Sequence, residues 1–210
     1  MENLIEINFE HVCLEGLIHK KSDQKAVIVC HPHPLYGGSM DNPVVTAVAD
    51  SFFVKGYTTL RFNFRGVGNS TGAFDDGVGE QDDVRAATAM LVKDGFKKIV
   101  LAGYSFGAWI NTQVMADGCN MPDHLAAHIA DHIMVSPPVG FMRFDDIDTL
   151  CRTGLIICGD CDEYAPVPMI ETCIKKWRIS SRLEIIKNGD HFYSASLGTL
   201  RKHRYCFQPP

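Results

Sequence analysis

A serine between two glycines stands in the middle of the chain, in the segment Gly103-Tyr104-Ser105-Phe106-Gly107. An apolar run precedes this segment and a helical pattern follows it, which predicts a sharp turn from a strand into a helix. Glycines suit such a turn because a Cβ there would clash with the neighbouring backbone. The turn would lift the Ser105 hydroxyl above the sheet, beside free N–H groups that stabilise negative charge. We therefore predict that Ser105 is a nucleophile, with a glycine-rich turn capped by a serine as the plainer alternative.

A serine nucleophile needs a base, and the base needs an acid that orients it. When the serine lies at a turn of this kind, the acid follows it in the sequence and the histidine comes last. His191 follows the predicted strand 182–186 and is the candidate base. The acid is expected in the loop after strand 154–158, where we favour Asp162. Asp160 is the alternative acid, and its other interpretation is a residue that braces the loop through backbone N–H groups. Asp190 adjoins the histidine in sequence and is interpreted as a turn residue.

Strands and helices alternate along most of the chain, which predicts an α/β fold. A hairpin comes first, and the later strands are short apolar runs typical of strands buried on both faces of a sheet. We expect a mostly parallel central sheet of about seven to eight strands with helices on both faces, and ligands at the carboxyl ends of its strands. The predicted strands are 4–9, 12–18, 26–30, 57–62, 98–102, 132–135, 154–158 and 182–186, and the predicted helices are 42–55, 80–94, 106–117 and 167–177.

Composition narrows the class of protein further. The 210 residues suit one domain over 1–210, and 20 basic against 25 acidic residues leave a net charge of −5. That balance predicts no nucleic-acid partner and no membrane surface as partner. The sequence has neither a basic leader nor an apolar run of membrane-spanning length, and its eight cysteines therefore indicate reduced thiols in the cytoplasm. The expected partner is a small-molecule acyl substrate; the oligomeric state is left open.

With these residues in view, the chain resembles the α/β-hydrolase superfamily over nearly its whole length. It is most similar to the small, lidless, dienelactone hydrolase-like bacterial hydrolases that carry an H-P-H-P…G-G motif. The segments that carry the resemblance are His31–Gly38, Arg61–Ser70, Gly103–Gly107, Gly159–Pro166 and Gly189–Phe192.

The resemblance implies a Ser105, His191 and Asp162 triad and an α/β-hydrolase fold without a cap domain. It also implies an oxyanion hole, with the backbone N–H of Phe106 as one donor. The second donor should come from the loop after strand 26–30, where prolines lack an N–H. His33 matches the family position, and Leu35 is the alternative.

The expected activity is that of a serine hydrolase, of carboxylesterase type, cleaving a small carboxylic ester through an acyl-enzyme. The alternatives are a thioesterase, lactonase or peptidase with the same triad, and a non-catalytic binding module with this fold. The connection 136–153 is too short for a helical cap, so an open site is expected.

No metal and no organic cofactor is expected. His31 and His33 alternate with prolines and have no obvious third ligand. The four-residue spacing of His124, His128 and His132 would align them on one helix, but strand-like residues follow at once.

Overall fold

The computed structural model of the protein describes residues 1–116, 121–150 and 152–202. The strands are β1 (Asn3–Phe9), β2 (Val12–His19), β3 (Lys25–Cys30), β4 (Thr58–Phe62), β5 (Lys98–Tyr104), β6 (Ile129–Val135), β7 (Thr153–Gly159) and β8 (Arg182–Ile186). The helices are α1 (Pro43–Val54), α2 (Gly79–Lys93), α3 (Phe106–Met115), α4 (Asp123–Ala126), α5 (Val167–Trp177) and α6 (Leu197–Lys202), with a 3₁₀ turn at Pro34–Tyr36.

The eight strands form one sheet in the order β1-β2-β4-β3-β5-β6-β7-β8. The first hairpin pairs antiparallel with β4, and every later neighbour pair is parallel. This confirms the predicted fold class. In a parallel sheet of this kind the carboxyl ends of the strands meet at one edge, with β3 and β6 on opposite sides of β5.

Alternating side chains of the central strands fill two apolar layers. In β3, Ile28 and Cys30 pack on the face that α2, α3 and α5 cover, whereas Val27 and Val29 pack on the face that α1 and α6 cover. The continuous apolar runs that predicted these strands are explained by this burial on both faces. The result is a rigid support for the loops at the carboxyl edge.

Several boundaries differ from those expected. Strand β6 begins at Ile129 rather than at 132, because Ile129 and Asp131 already pair with β5. The short helices α4 and α6 and the 3₁₀ turn were not predicted, since segments of three to six residues carry too little periodicity. The predicted last residue of the third helix, Asp117, lies outside the described residues.

The described part of the connection between β6 and β7, residues 136–150 and 152, contains no helix. A cap over the carboxyl edge is therefore absent from this part of the chain, as expected. Within the described ranges, no helix combines the length and apolar character that crossing a bilayer requires.

Candidate active site

Ser105 lies at the tight turn between β5 and α3. Its backbone has φ 53° and ψ −116°, in the left-handed half of the map, where residues with a side chain are rarely found. A Cβ at Gly103 would collide with the carbonyl of Gly107, and a Cβ at Gly107 would lie 2.5 Å from the carbonyl oxygen of Cys30. The two glycines therefore allow the chain to turn sharply enough to present the serine hydroxyl at the carboxyl edge.

The structure brings Ser105, His191 and Asp162 into one hydrogen-bonded chain. Oγ of Ser105 lies 2.9 Å from Nε2 of His191, and Nδ1 of His191 lies 2.9 Å from each carboxylate oxygen of Asp162. All three residues are buried, with relative exposures of 9%, 7% and 4%. The carboxylate can only accept from Nδ1, which leaves Nε2 free to take the hydroxyl proton.

Asp162 is held as an ionised carboxylate. Its Oδ1 accepts hydrogen bonds from the backbone N–H groups of Tyr164 at 3.0 Å and Ala165 at 2.8 Å. Burial would raise the pKa of Asp162, but hydrogen bonding and charge at His191, with hydrogen bonds from Ser136 and Ala165, bring it below its ordinary value. The residue is therefore equipped to stabilise a protonated His191.

The competing carboxylates lie elsewhere. Asp160 is exposed, and its carboxylate accepts from the thiol of Cys161 at 3.5 Å. Asp190 accepts from the backbone N–H of Ser194 at 2.8 Å, as expected for a turn residue. Of the three aspartates considered from the sequence, Asp160, Asp162 and Asp190, it is Asp162 that contacts His191.

Two buried tyrosines and a serine support the hydrogen bonds that join Ser105, His191 and Asp162, and the sequence alone did not indicate any of these three supporting residues. The Tyr193 hydroxyl lies 2.8 Å from Oγ of Ser136, whose side chain also hydrogen-bonds Asp162. The Tyr104 hydroxyl donates to the backbone carbonyl of His191 at 2.9 Å. A tyrosine two residues after a loop histidine is the only sequence signal that would have suggested such a support.

The backbone N–H groups of Phe106 and His33 have no acceptor among the described residues. Phe106 is the first residue of α3, where no intrahelical partner exists. The N–H of Leu35, in contrast, donates to Nδ1 of His33 at 3.2 Å. Leu35 is therefore less available as an oxyanion donor than His33, and the helix N-terminus lies directly after Ser105.

His31 fixes the peptide that carries the His33 N–H. The N–H of Phe64 can only donate, so Nε2 of His31 accepts at 3.0 Å and the ring proton is on Nδ1. Nδ1 then donates to the carbonyl of Pro32 at 2.6 Å. That carbonyl and the His33 N–H belong to the same trans peptide and point in opposite directions. Burial lowers the pKa of His31 to about 4, which keeps the ring neutral near pH 7.

An open cleft of about 550 Å³ lies over Ser105 and His191. Pro138, Phe141 and Met142 from the connection after β6 line it, whereas Phe144 of the same connection is buried against Trp177. The volume suits a small molecule.

The other histidines and cysteines form no metal site in the described part of the chain. His132 is buried in β6 beside Thr153, whereas His124 lies on α4, so the two do not share a helix face. The predicted serine hydrolase chemistry calls for no such site.

Comparison with known proteins defines the class. No family model matches the chain. An uncharacterized protein of Rickettsia prowazekii is 35% identical over 192 residues, which are 86% of this chain and 77% of that protein. An α/β serine hydrolase homologue from Coxiella burnetii has a similar structure, with a TM-score of 0.84 and 33% identity over 96% of this chain and 95% of the other. A Xanthomonas campestris α/β serine hydrolase without a lid has a TM-score of 0.83 and 29% identity over 98% and 92% of the two chains.

The fold and these neighbours together define an α/β hydrolase. The chain belongs to the lidless α/β serine hydrolase homologues of this superfamily. The relatives support a hydrolase and leave its substrate open.

Proposed function

We propose that the protein is a serine hydrolase that cleaves a small carboxylic ester through a covalent acyl-enzyme. The observation that carries the proposal is the hydrogen-bonded chain from Ser105 through His191 to Asp162, with 2.9 Å between neighbouring polar atoms. A serine hydroxyl is a weak nucleophile at neutral pH unless a base takes its proton. Here His191 supplies the base and Asp162 the acid that orients it.

In the proposed reaction, Oγ of Ser105 attacks the ester carbonyl carbon while Nε2 of His191 takes the hydroxyl proton. The resulting oxyanion accepts hydrogen bonds from the N–H groups of Phe106 and His33. His191 then returns the proton to the leaving alcohol oxygen, and the carbonyl re-forms as the acyl-enzyme. Asp162 stabilises the imidazolium in both transition states. Water, deprotonated by His191, releases the acid and restores Ser105.

A fluorophosphonate probe tests the proposal because it phosphonylates a serine only where a base and an oxyanion site activate it. We expect one adduct, at Ser105, which Ser105→Ala and His191→Ala both abolish. Ser180→Ala is the matched control, since Ser180 is exposed at the opposite edge of the sheet and should leave labelling unchanged. A folded wild-type chain that takes up no probe would refute the proposal and favour the binding-module alternative.

The cytoplasmic location remains a prediction that accompanies this proposal. The five cysteines within the described ranges, Cys13, Cys30, Cys158, Cys161 and Cys173, are free thiols, in keeping with a reducing compartment. A fractionation of the source cells with an antibody against the chain would test it directly.

A further inference from the structure

The exposed aromatic side chains of the described residues gather in one place. Tyr36, Phe141, Tyr164 and Phe192 have relative exposures of 76%, 57%, 40% and 65%, and all four line the cleft over Ser105. No other phenylalanine, tyrosine or tryptophan side chain in those ranges is as exposed. Large apolar groups exposed together cost free energy in water, which is why such clusters mark ligand sites.

Three of these rings lie on the side of the cleft that carries His191. The rings of Tyr164 and Phe192 lie 4.8 and 5.5 Å from the His191 ring, centroid to centroid. Phe141 packs edge-on against Tyr164 at 5.7 Å. Tyr36 belongs to the loop after β3, which lies across β5 from the loops after β6, β7 and β8.

The proposed mechanism decides which half of an ester meets these three rings. His191 returns its proton to the oxygen of the leaving alcohol, so the alcohol half must lie beside the imidazole. The oxyanion points instead to the N–H groups of Phe106 and His33. The alcohol half therefore lies against Tyr164 and Phe192, which can hold an aromatic ring by edge-to-face or offset contacts.

The described residues of the cleft offer no cationic side chain to pair with an anionic substrate. Within the part of the chain that the structure describes, the cleft lining contains no lysine, arginine, aspartate or glutamate. His33 is held neutral because Nδ1 accepts from Leu35 and because burial lowers the pKa of the ring. A carboxylate entering this cleft would lose hydration without gaining a cation, in a chain that itself carries a net charge of −5.

Resting on the proposed function, we propose that the cleft binds neutral esters whose alcohol half carries an aromatic ring, and that it discriminates against esters that bear a free carboxylate. Phe192 and Phe141 are the specificity-determining residues of this subsite, with Tyr164 between them.

The test compares kcat/KM of the full chain for three acetates. Benzyl acetate and cyclohexylmethyl acetate have the same number of carbons, but only benzyl acetate has an aromatic ring. The third ester, 4-(acetoxymethyl)benzoate, is benzyl acetate with a carboxylate added to that ring. We expect benzyl acetate to exceed cyclohexylmethyl acetate by about 2- to 10-fold, the range of an aromatic pair. The carboxylate should lower kcat/KM by at least about tenfold.

Phe192→Leu and Phe141→Leu should reduce the kcat/KM preference for benzyl over cyclohexylmethyl acetate towards unity, because each variant should lose more activity on benzyl acetate than on cyclohexylmethyl acetate. Met169→Ala is the matched control, because Met169 is an exposed apolar residue of α5 outside the cleft lining. It should retain the full preference.

Failure of the aromatic alcohol subsite and failure of the proposed hydrolase function give different results. Probe labelling at Ser105 together with equal kcat/KM for the two neutral acetates would overturn this inference and leave the proposed function intact. A preference confined to the acyl half, with methyl phenylacetate favoured over methyl cyclohexylacetate, would also overturn it. Absence of labelling and of turnover would overturn both.

Discussion

Replacing His31 by leucine tests how the proposed second oxyanion donor, the His33 N–H, is held in place. His31 accepts from Phe64 and donates to the Pro32 carbonyl, and that carbonyl shares a peptide with the His33 N–H. Leucine removes both hydrogen bonds at similar volume. The peptide then rotates freely enough for the His33 N–H to leave the position that the oxyanion requires.

The catalytic cost follows from the number of donors lost. Deleting one oxyanion donor costs about 3–4 kcal/mol of transition-state stabilisation, or about 10²- to 10³-fold in kcat. The His33 N–H is still present in His31→Leu but is no longer oriented. We therefore expect a loss of about 10- to 100-fold in kcat with little change in KM.

The stability cost is separate. His31 and Phe64 are fully buried, so the Phe64 N–H loses its acceptor where water has no access, whereas the Pro32 carbonyl is only part-buried beside the cleft. One buried unsatisfied group costs about 1–3 kcal/mol, which predicts a fall of about that size in the free energy of unfolding.

His31→Asn separates the two effects. The asparagine amide can place a donor near the Nδ1 position but cannot reach Phe64. We expect this variant to keep most of kcat while losing nearly as much stability as His31→Leu, because the buried Phe64 N–H has no acceptor in either variant. Urea unfolding beside steady-state kinetics measures the two effects. Equal kcat losses in both variants, or an unchanged kcat in His31→Leu, would refute this role of His31 in the oxyanion loop.

Three further predictions concern Asp162, Tyr193 and His132. Asp162→Asn should lower kcat by about 10⁴-fold, since an amide neither selects the tautomer nor stabilises the imidazolium; a loss under about tenfold would exclude Asp162 as the orienting acid. Tyr193→Phe should lower the free energy of unfolding by about 1–2 kcal/mol in urea, because the buried Ser136 hydroxyl loses one of its two hydrogen-bond partners, and an unchanged midpoint would contradict this support. Burial lowers the pKa of His132 from its ordinary value of 6.5 to about 3. Between pH 6.5 and pH 3 the imidazole therefore takes up a proton in the unfolded chain but not in the folded one, and the free energy of unfolding falls as the pH is lowered through this range. His132→Gln should make that fall shallower by up to about 1.4 kcal/mol per pH unit, and an identical pH profile would show that His132 is not the group responsible.

The parts of the site that the sequence predicted are those that strand ends determine. Ser105 and Asp162 follow short apolar strands and His191 follows the half-exposed β8, and a parallel sheet brings the carboxyl ends of such strands to one edge. The residues alone favoured Asp162 but left Asp160 open, and the family resemblance also implied Asp162, because loop geometry decides which carboxylate reaches the imidazole.

The supporting hydrogen bonds could not be predicted in this way. Tyr104, Ser136 and Tyr193 act through contacts between residues 57 and 87 positions apart, and no local pattern records such pairs. Tertiary pairing also explains why β6 is longer than predicted: Ile129 and Asp131 pair with β5, so the strand covers Ile129–Val135 and not only 132–135.

The most direct test of the central claim is to trap the acyl-enzyme. Hydrolysis of 4-nitrophenyl acetate is quenched in acid within the first turnovers, and the masses of the intact protein and of its proteolytic peptides are measured by mass spectrometry. We predict one acetyl group, on Ser105, in the wild type and none in Ser105→Ala. Turnover without any acetylated protein, or acetylation at another residue that persists in Ser105→Ala, would contradict the proposed mechanism.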